Sequence, residues 1–425
     1  MSDLAIPAKE INAIVLTRWL LTPLGGWPLM KKSPSTGELF IAIILQFFCY
    51  SFILFALIPA IFHIVFREKN LSAKIALCGP VGFFMMNMLK YSAIIRHRKS
   101  IKKCIEMIET DWKKVHNDKE WNIMRKNQLI GRKLTIVCAS FIYTGGMSYH
   151  TVMPFLMGSP ASSEYCGDDR PLVFPGYDVL FDPLITPVYE IVYFSHCFAA
   201  LIIYTITTVS CNIAASFVTH ASGQIEIIVE KLNSLVGEGI GPDQKCLHKK
   251  MGDIVRHHGR VIRFTRNIET AVREICLVEV FASTIIICLL EYYCLTVEKC
   301  TKSGIKKYPV FLSEFCFQTW NESETIGIIT YFLLLVSLSF NIFIFCYIGE
   351  LLKEKCYEAG YSAYLIDWYR LPPNTAATLI LIIANAQVPR KITAGGMLDL
   401  SLSSFLTVMK TSLVYLNLLR TAEAS

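Results

Sequence analysis

Ser403, Thr407 and Thr411 recur every fourth residue in the last apolar stretch of the chain, and Val414 and Leu418 continue the same edge at steps of three and four. Residues at that spacing share one face of a helix. A stripe of hydroxyls on an apolar helix suits two roles: it can line water, or it can let membrane helices approach and hydrogen-bond. The residues alone leave both open. Lys410 lies in the same stretch, and an ionisable side chain inside a membrane segment marks a functional site by default. Glu279 and Glu291 stand twelve residues apart inside another apolar run. Cys246, His248, His257 and His258 are metal-ligating types in one polar connection, but their spacing matches no zinc pattern, and a basic solvated helical face accounts for them. The chain has no Gly-rich phosphate loop, no His-Glu-x-x-His and no Gly-x-Ser-x-Gly. Neither an enzyme nor a cofactor or metal site is expected.

The elements that carry these residues follow from composition. The 425 residues are 53% apolar and only 18% charged, with a mean hydropathy of +0.45. Soluble domains carry about a quarter charged residues, so the expected solvent is lipid. A bilayer span needs about 20 mostly apolar residues. Seven runs qualify, at residues 40–66, 71–95, 134–157, 188–218, 275–297, 326–348 and 397–419. The second carries Lys74 and Lys90 near its ends, where a long side chain can reach the interface. A shorter apolar stretch at 375–388 precedes the last run and is separated from it by Pro389 and the Gly395-Gly396 pair. Residues 11–30, interrupted by Arg18, Pro23 and Pro28, read as an interfacial or re-entrant segment rather than a cleaved leader.

Basic residues set the orientation. The N-terminal segment and the connections after spans two, four and six, the last counted up to the apolar stretch at 375, hold 28 Lys and Arg, against 7 in the connections after spans one, three and five. This puts the N-terminus inside and, with seven spans, the C-terminus outside. The two N-x-S/T sequons, at Asn70 and Asn321, fall in connections assigned to the exterior, where glycan transfer is possible. Cys166, Cys300 and Cys316 are exterior as well, so a disulfide between Cys300 and Cys316 is permitted. Most of the 15 cysteines lie in apolar runs and read as small buried hydrophobes. No nucleic-acid partner is expected.

An inside N-terminus excludes the ordinary seven-span receptor that couples to G proteins, and the Asp-Arg-Tyr and Asn-Pro-x-x-Tyr motifs of that class are absent. A metabotropic receptor of inverted topology is the alternative reading. A transporter is disfavoured because only the seventh element is broken, with no matching interruption in the first half.

The motifs then resemble a known family. Ala386-Gln387-Val388-Pro389, Ile392-Thr393-Ala394-Gly395-Gly396-Met397, Ser401-Leu402-Ser403-Ser404-Phe405 and Met409-Lys410-Thr411-Ser412 look like the C-terminal signature of insect odorant receptors. So do Pro171-Leu172-Val173-Phe174-Pro175, Phe181-Asp182-Pro183 and Pro187-Val188-Tyr189-Glu190, together with His220-Ala221-Ser222-Gly223-Gln224 and Asp367-Trp368-Tyr369 before Pro372. Leu413-Val414-Tyr415 departs from the more polar Tyr-Ser-Tyr of many members.

The resemblance implies an all-α membrane protein of seven transmembrane helices, with the seventh split into a short cytoplasmic anchor part and a pore-lining part. Its units would be a cytoplasmic segment at 1–39, spans one to six at 40–348, an anchor region at 349–396 and the pore helix with an extracellular tail at 397–425. The implied function is that of the odorant-tuned subunit of a ligand-gated, non-selective cation channel. Its partners would be a co-receptor in a heterotetramer, small volatile ligands, permeating cations and the bilayer. The plasma membrane of an olfactory neuron dendrite would be its place. The connection between spans four and five is too short for the co-receptor itself.

On this resemblance Ser403, Thr407, Thr411 and Val414 line the pore and Leu418 forms a dewetting constriction. The ligand pocket, in the outer half among spans two, three, four and six, would draw on Phe83, Phe84, Asn87, Tyr143, Gly146, Met147, Tyr149, His150, Tyr193, Cys197, Tyr331, Leu334 and Leu335. Gly145-Gly146 would leave space beside Tyr143 and Tyr149, and His150 and Tyr193 would offer hydrogen-bonding handles. Glu279 is expected to pair with a basic residue of the anchor region.

Overall fold

A computed structural model describes residues 14–69, 71–115, 117–151, 172–179, 181–183, 185–237, 244–302 and 322–424. The sequon residues Asn70 and Asn321, Cys166 and Cys316, and the side chains of Tyr331, Glu291, Cys300 and Leu418 lie outside them.

The fold is almost wholly helical. Two short helices, α1 (Val15–Leu21) and α2 (Trp27–Met30), precede α3 (Thr36–Phe62), which ends in a π-helical turn, His63–Arg67. Then come α4 (Leu71–Arg96), α5 (Arg98–Lys114), α6 (Asp118–Thr151), α7 (Val188–Gly237), α8 (Gln244–Lys302) and α9 (Glu322–Leu365). Helix α10 (Pro373–Gln387), a two-stranded hairpin of β1 (Thr393–Ala394) and β2 (Leu398–Asp399), and α11 (Leu402–Ala424) complete the chain.

Local chemistry fixes several boundaries. Ser35 and Glu38 form a reciprocal capping box at the start of α3, with Glu38 N–H donating to Ser35 Oγ (3.2 Å) and Ser35 N–H to Glu38 Oε2 (2.8 Å). Helix α10 begins on Pro373, whose missing N–H costs nothing in a first turn. Helix α11 starts at residue 402 and not at 397, because 393–399 turn through the hairpin. Gly395 and Gly396 take φ of +66° and +79° there, a backbone that side chains resist.

At 1.5 Å per residue the 50 residues of α7 and the 59 of α8 run about 75 and 89 Å, far beyond a bilayer core of about 30 Å. The stretch 219–274 is expected as a connection between spans four and five. Most of it is instead a helical continuation of spans four and five, and with α5 and α10 it builds a second, water-side bundle. Residues 14–30, expected as an interfacial or re-entrant segment, are tied into the bundle. Leu21, Leu24 and Met30 are buried, Thr17 donates to Asn212 Oδ1 of α7 (2.7 Å), and Tyr91 of α4 donates to the Leu24 carbonyl (2.6 Å).

Among the described residues, 36–67, 188–235 and 333–365 are long and apolar enough to cross a membrane on composition alone. Only 28% of the first span's apolar window is buried, and Phe40, Ile43, Phe47 and Ile58 face outward, so α3 is a rim helix. The corresponding share for α7 is 72%, which makes it the axis on which α3, α4, α6, α8 and α9 pack.

The charges inside the bundle are handled by pairing. Lys90 does not reach the interface, and Glu279 does not reach the anchor region. The two are wholly buried and form an ion pair between α4 and α8. Asn341 of α9 donates to Glu279 Oε1 (2.7 Å), as does Ser283 (3.1 Å), and Cys138 of α6 donates to Asn341 Oδ1 (3.6 Å). Lys90 sits too deep for its stem to reach water once α4 is packed, so a facing carboxylate is the available partner.

In the water-side bundle, α5 turns Ile101, Cys104, Ile105, Ile108 and Trp112 inward at helical spacing. Asp111 accepts from His220 Nε2 (3.2 Å) and pairs with Arg260 (3.3 Å). Burial alone would raise its carboxyl, but the His220 hydrogen bond and the charges of His220 and Arg260 bring it below its usual value. His257 donates Nε2–H to Gln224 Oε1 (2.7 Å), and burial, followed by Lys231 and Arg260, lowers it to about 3.

Two outcomes are expected. Removing one member of a buried pair strands the other charge at a cost of about 3–5 kcal/mol, so Lys90→Met should lower the melting temperature of the purified protein more than Lys90→Met with Glu279→Leu does. Equal losses would mean the pair is not coupled. The second concerns pH. Unfolded His257 takes up a proton below about 6.5 while the folded form resists until about 3, so its contribution to stability is intact above 6.5 and declines as pH falls through that window. His257→Gln should flatten this part of the pH–melting curve.

Candidate functional site

Two regions hold most of the residues singled out by sequence. The first lies at the end of the bundle assigned to the exterior. Pro59 of α3 has no N–H to give the carbonyl four residues earlier, that of Phe55. Tyr177, from the segment 172–179, donates its hydroxyl to that carbonyl (2.8 Å) and also contacts His196 Nε2 of α7 (2.8 Å). Phe174 from the same segment packs on His196 (5.4 Å between centroids), on Phe84 of α4 (5.0 Å) and on His150 of α6 (6.2 Å). His150 Nδ1 meets the Tyr204 hydroxyl of α7 at 2.7 Å. The backbone defect at Pro59 thus ties the buried segment 172–177 to four helices.

The structure gathers part of the expected set around Tyr204 and His150. Phe84, Asn87 and His150 are buried, and Phe83, Tyr143 and Tyr149 lean on the same group of rings. Asn87 accepts from Thr207 (2.6 Å), and Tyr143 shares a hydrogen bond with Thr205 (2.7 Å). Met147 and Cys197 are half-buried. Tyr193 belongs instead to a satellite cluster with Leu172, Tyr177 and Val192, where it stacks on Tyr189. Leu334 and Leu335 are half-buried on α9.

The space expected beside Gly145-Gly146 is filled. A Cβ on Gly146 would lie 2.2 Å from the Tyr204 ring, and one on Gly145 would lie 3.4 Å from the Leu333 backbone. The glycines admit neighbours rather than leave a void. The sequence offers Phe174 only as part of a family motif, and Tyr177, His196 and Tyr204 are not among the residues expected at the site. The available signal was that His196 and Tyr204 stand eight residues apart, two turns along one face of span four.

The second region is α11. At about 100° per residue, Phe405, Val408 and Ser412 share one side and pack on the chain, with Phe405 against Phe343 of α9 (5.5 Å). Leu402, Leu406 and Leu413 form an exposed apolar side. Ser403, Thr407, Thr411 and Val414 lie on a third, turned away from the packed side, where Ser403, Thr407 and Val414 are exposed. Thr407 donates back to the Ser403 carbonyl (3.0 Å) and Thr411 to that of Thr407 (2.8 Å). Their protons are thereby occupied, and acceptor lone pairs remain for the outside. Lys410 is exposed near the border of the apolar and hydroxyl sides.

The hairpin couples α11 to the rest. Thr393 gives both its N–H (3.0 Å, to Oε2) and its hydroxyl to Glu269 of α8, Gly395 N–H reaches the Arg273 carbonyl (3.1 Å), and Leu402 N–H at the start of α11 meets Glu350 of α9 (3.3 Å). No group of three or more metal-ligating side chains occurs among the described residues.

A family model described as 7tm Odorant receptor matches residues 76–321 and 313–413. Odorant receptor 13a of Drosophila melanogaster is 21% identical over 97% of this chain and 96% of its own length, and odorant receptor 82a of the same fly is 21% identical over 88% and 90%. Odorant receptor 10 of Aedes albopictus is 23% identical over 55% of this chain, which spans just over half (56%) of that relative. Among solved structures, the insect olfactory receptor OR5 from Machilis hrabei has the same fold, with a TM-score of 0.72 at 13% identity over 96% of this chain and 97% of that one. Its complex with eugenol gives 0.67 at 12% identity over 97% and 100%.

Gly146→Ala should force the Tyr204 ring aside and lower the melting temperature, at a cost of about 1–3 kcal/mol. Tyr204→Leu should restore part of that loss, whereas Tyr204→Phe, which keeps the clashing ring carbons, should not. An unchanged melting point in Gly146→Ala would show that the contact is loose.

Proposed function

The chain belongs to the 7tm odorant receptor family, a family of receptors and not of enzymes, and from that premise we propose that it is an odorant-binding subunit of a ligand-gated, non-selective cation channel. It assembles with a co-receptor into a heterotetramer in the plasma membrane, with its N-terminus inside. Small volatile ligands enter the outer-half site built around Phe84, His150 and Tyr204.

The observation that carries the reading is the third side of α11. A helix serving only to pack its own chain has no use for a hydroxyl stripe facing away from that chain. Placed around an axis shared with other subunits, Ser403, Thr407 and Thr411 offer acceptor oxygens to hydrated cations, while the leucine side meets lipid or a neighbour. Val414, and Leu418 one turn beyond, narrow the path with apolar side chains. The contacts from Glu269 of α8 and Glu350 of α9 to the hairpin and α11 provide a mechanical route from the helices packed around α7 to the helix that conducts.

Co-expression with the co-receptor should give an odorant-evoked current that persists under G-protein blockade; its abolition would favour a metabotropic receptor. In Thr407→Cys, a charged, membrane-impermeant thiol reagent should reduce the open-state current, whereas Leu406→Cys on the neighbouring side should be unaffected. Modification of Leu406→Cys alone would exchange the assigned faces.

A further inference from the structure

The outer cluster contains two buried ring nitrogens with no hydrogen-bond partner, His196 Nδ1 and His150 Nε2. They flank Phe174, whose ring centre is 5.4 Å from that of His196 and 6.2 Å from that of His150. Both imidazoles are sealed from solvent, His196 at 0% and His150 at 3% exposure. His196 lies about 12 Å, or two turns, inside α7.

The hydrogen-bond pattern fixes which nitrogen of His196 carries the proton. The Phe55 carbonyl can only accept, so the single hydroxyl proton of Tyr177 goes to it. The Tyr177 oxygen is then an acceptor, and the 2.8 Å contact requires His196 Nε2 to be the donor. A neutral imidazole carries one proton. Its Nδ1 is therefore a bare lone pair, buried among aromatic rings.

We infer that His196 is a polar anchor for the ligand and that the ligand it selects carries a hydroxyl group, an alcohol or a phenol. An ether, ester, ketone or aldehyde brings only lone pairs to face another lone pair. An amine would enter as an unpaired cation in an apolar site. A neutral O–H supplies the missing donor and lets the remaining hydrocarbon lie on Phe174 and Phe84. The chain of cause begins at Pro59: the freed Phe55 carbonyl takes the Tyr177 proton, and that choice makes His196 Nδ1 an acceptor.

The inference rests on the reading of the chain as an odorant-gated channel, and the test separates the two. Cells expressing the chain with its co-receptor are challenged with straight-chain and phenolic alcohols, each paired with its methyl ether. The alcohols should act at concentrations at least about tenfold lower. His196→Gln, whose amide can still donate to Tyr177 but offers nothing at the Nδ1 position, should raise the alcohol threshold to that of the ether. His196→Asn, whose amide oxygen falls near Nδ1, should keep the preference.

Equal potency of alcohol and ether on the unmodified chain would overturn the inference and assign the nitrogen to a resident water. A parallel shift of both ligands in both variants would make His196 a packing residue and overturn it equally. Melting of the purified complex reads binding without gating. A rise with alcohols and not with ethers, in the absence of any current, would uphold the anchor while refuting the channel; no alcohol-specific rise would refute the anchor.

Discussion

Lys90 and Glu279 face each other from α4 and α8 with neither side chain exposed to solvent, and neither charge would be tolerable in that place without the other. The pair also determines which helices are neighbours. Glu279 accepts from Asn341 of α9, and Asn341 in turn takes the thiol of Cys138 on α6. Helices that lipid alone would pull together only weakly are thereby held in one arrangement. Apolar packing around α7 supplies most of the contact area, but an apolar surface accepts several rotations of its neighbours, whereas a buried ion pair accepts one.

The outer cluster uses the same logic with neutral groups. Pro59 leaves one carbonyl unsatisfied in an apolar helix, and the Tyr177 hydroxyl, from a segment between α6 and α7, fills the gap. That segment also carries Phe174, so the repair of a backbone defect places an aromatic ring between two histidines. Gly146 contributes by having no side chain: Tyr204 occupies the place a methyl group would take, which puts its hydroxyl on His150.

At the other end, α11 packs one side on α8 and α9, and the hairpin ties its base to the same two helices. Two glycines at positive φ turn the backbone, Glu269 holds Thr393 by two hydrogen bonds, and Glu350 meets the first N–H of the helix. A helix packed on one side and exposed on the other two is suited to joining other subunits. A movement of α8 relative to α9 would shift the two carboxylates that hold its base.

Much of the architecture was legible in the amino-acid sequence. Apolar runs of span length, the break before the last helix and the hydroxyl stripe at four-residue spacing depend only on local periodicity and solvent, so they survive without knowledge of neighbours. The start of α11 at 402, the helical extension of spans four and five into the water-side bundle and the docking of residues 14–30 on α4 and α7 were not readable, because polar sequence fits a solvated helix and a loop alike until a partner surface is known. The partner of Glu279 was likewise hidden: a charge in an apolar run announces that it needs a counter-ion, but 189 positions separate it from Lys90, and only packing brings them together. For the outer site the sequence named His150, Phe84 and Asn87 by type. His196, Tyr204 and the role of Pro59 awaited the tertiary structure, because whether a nitrogen donates or accepts is decided by the atoms across from it and not by the residue that carries it.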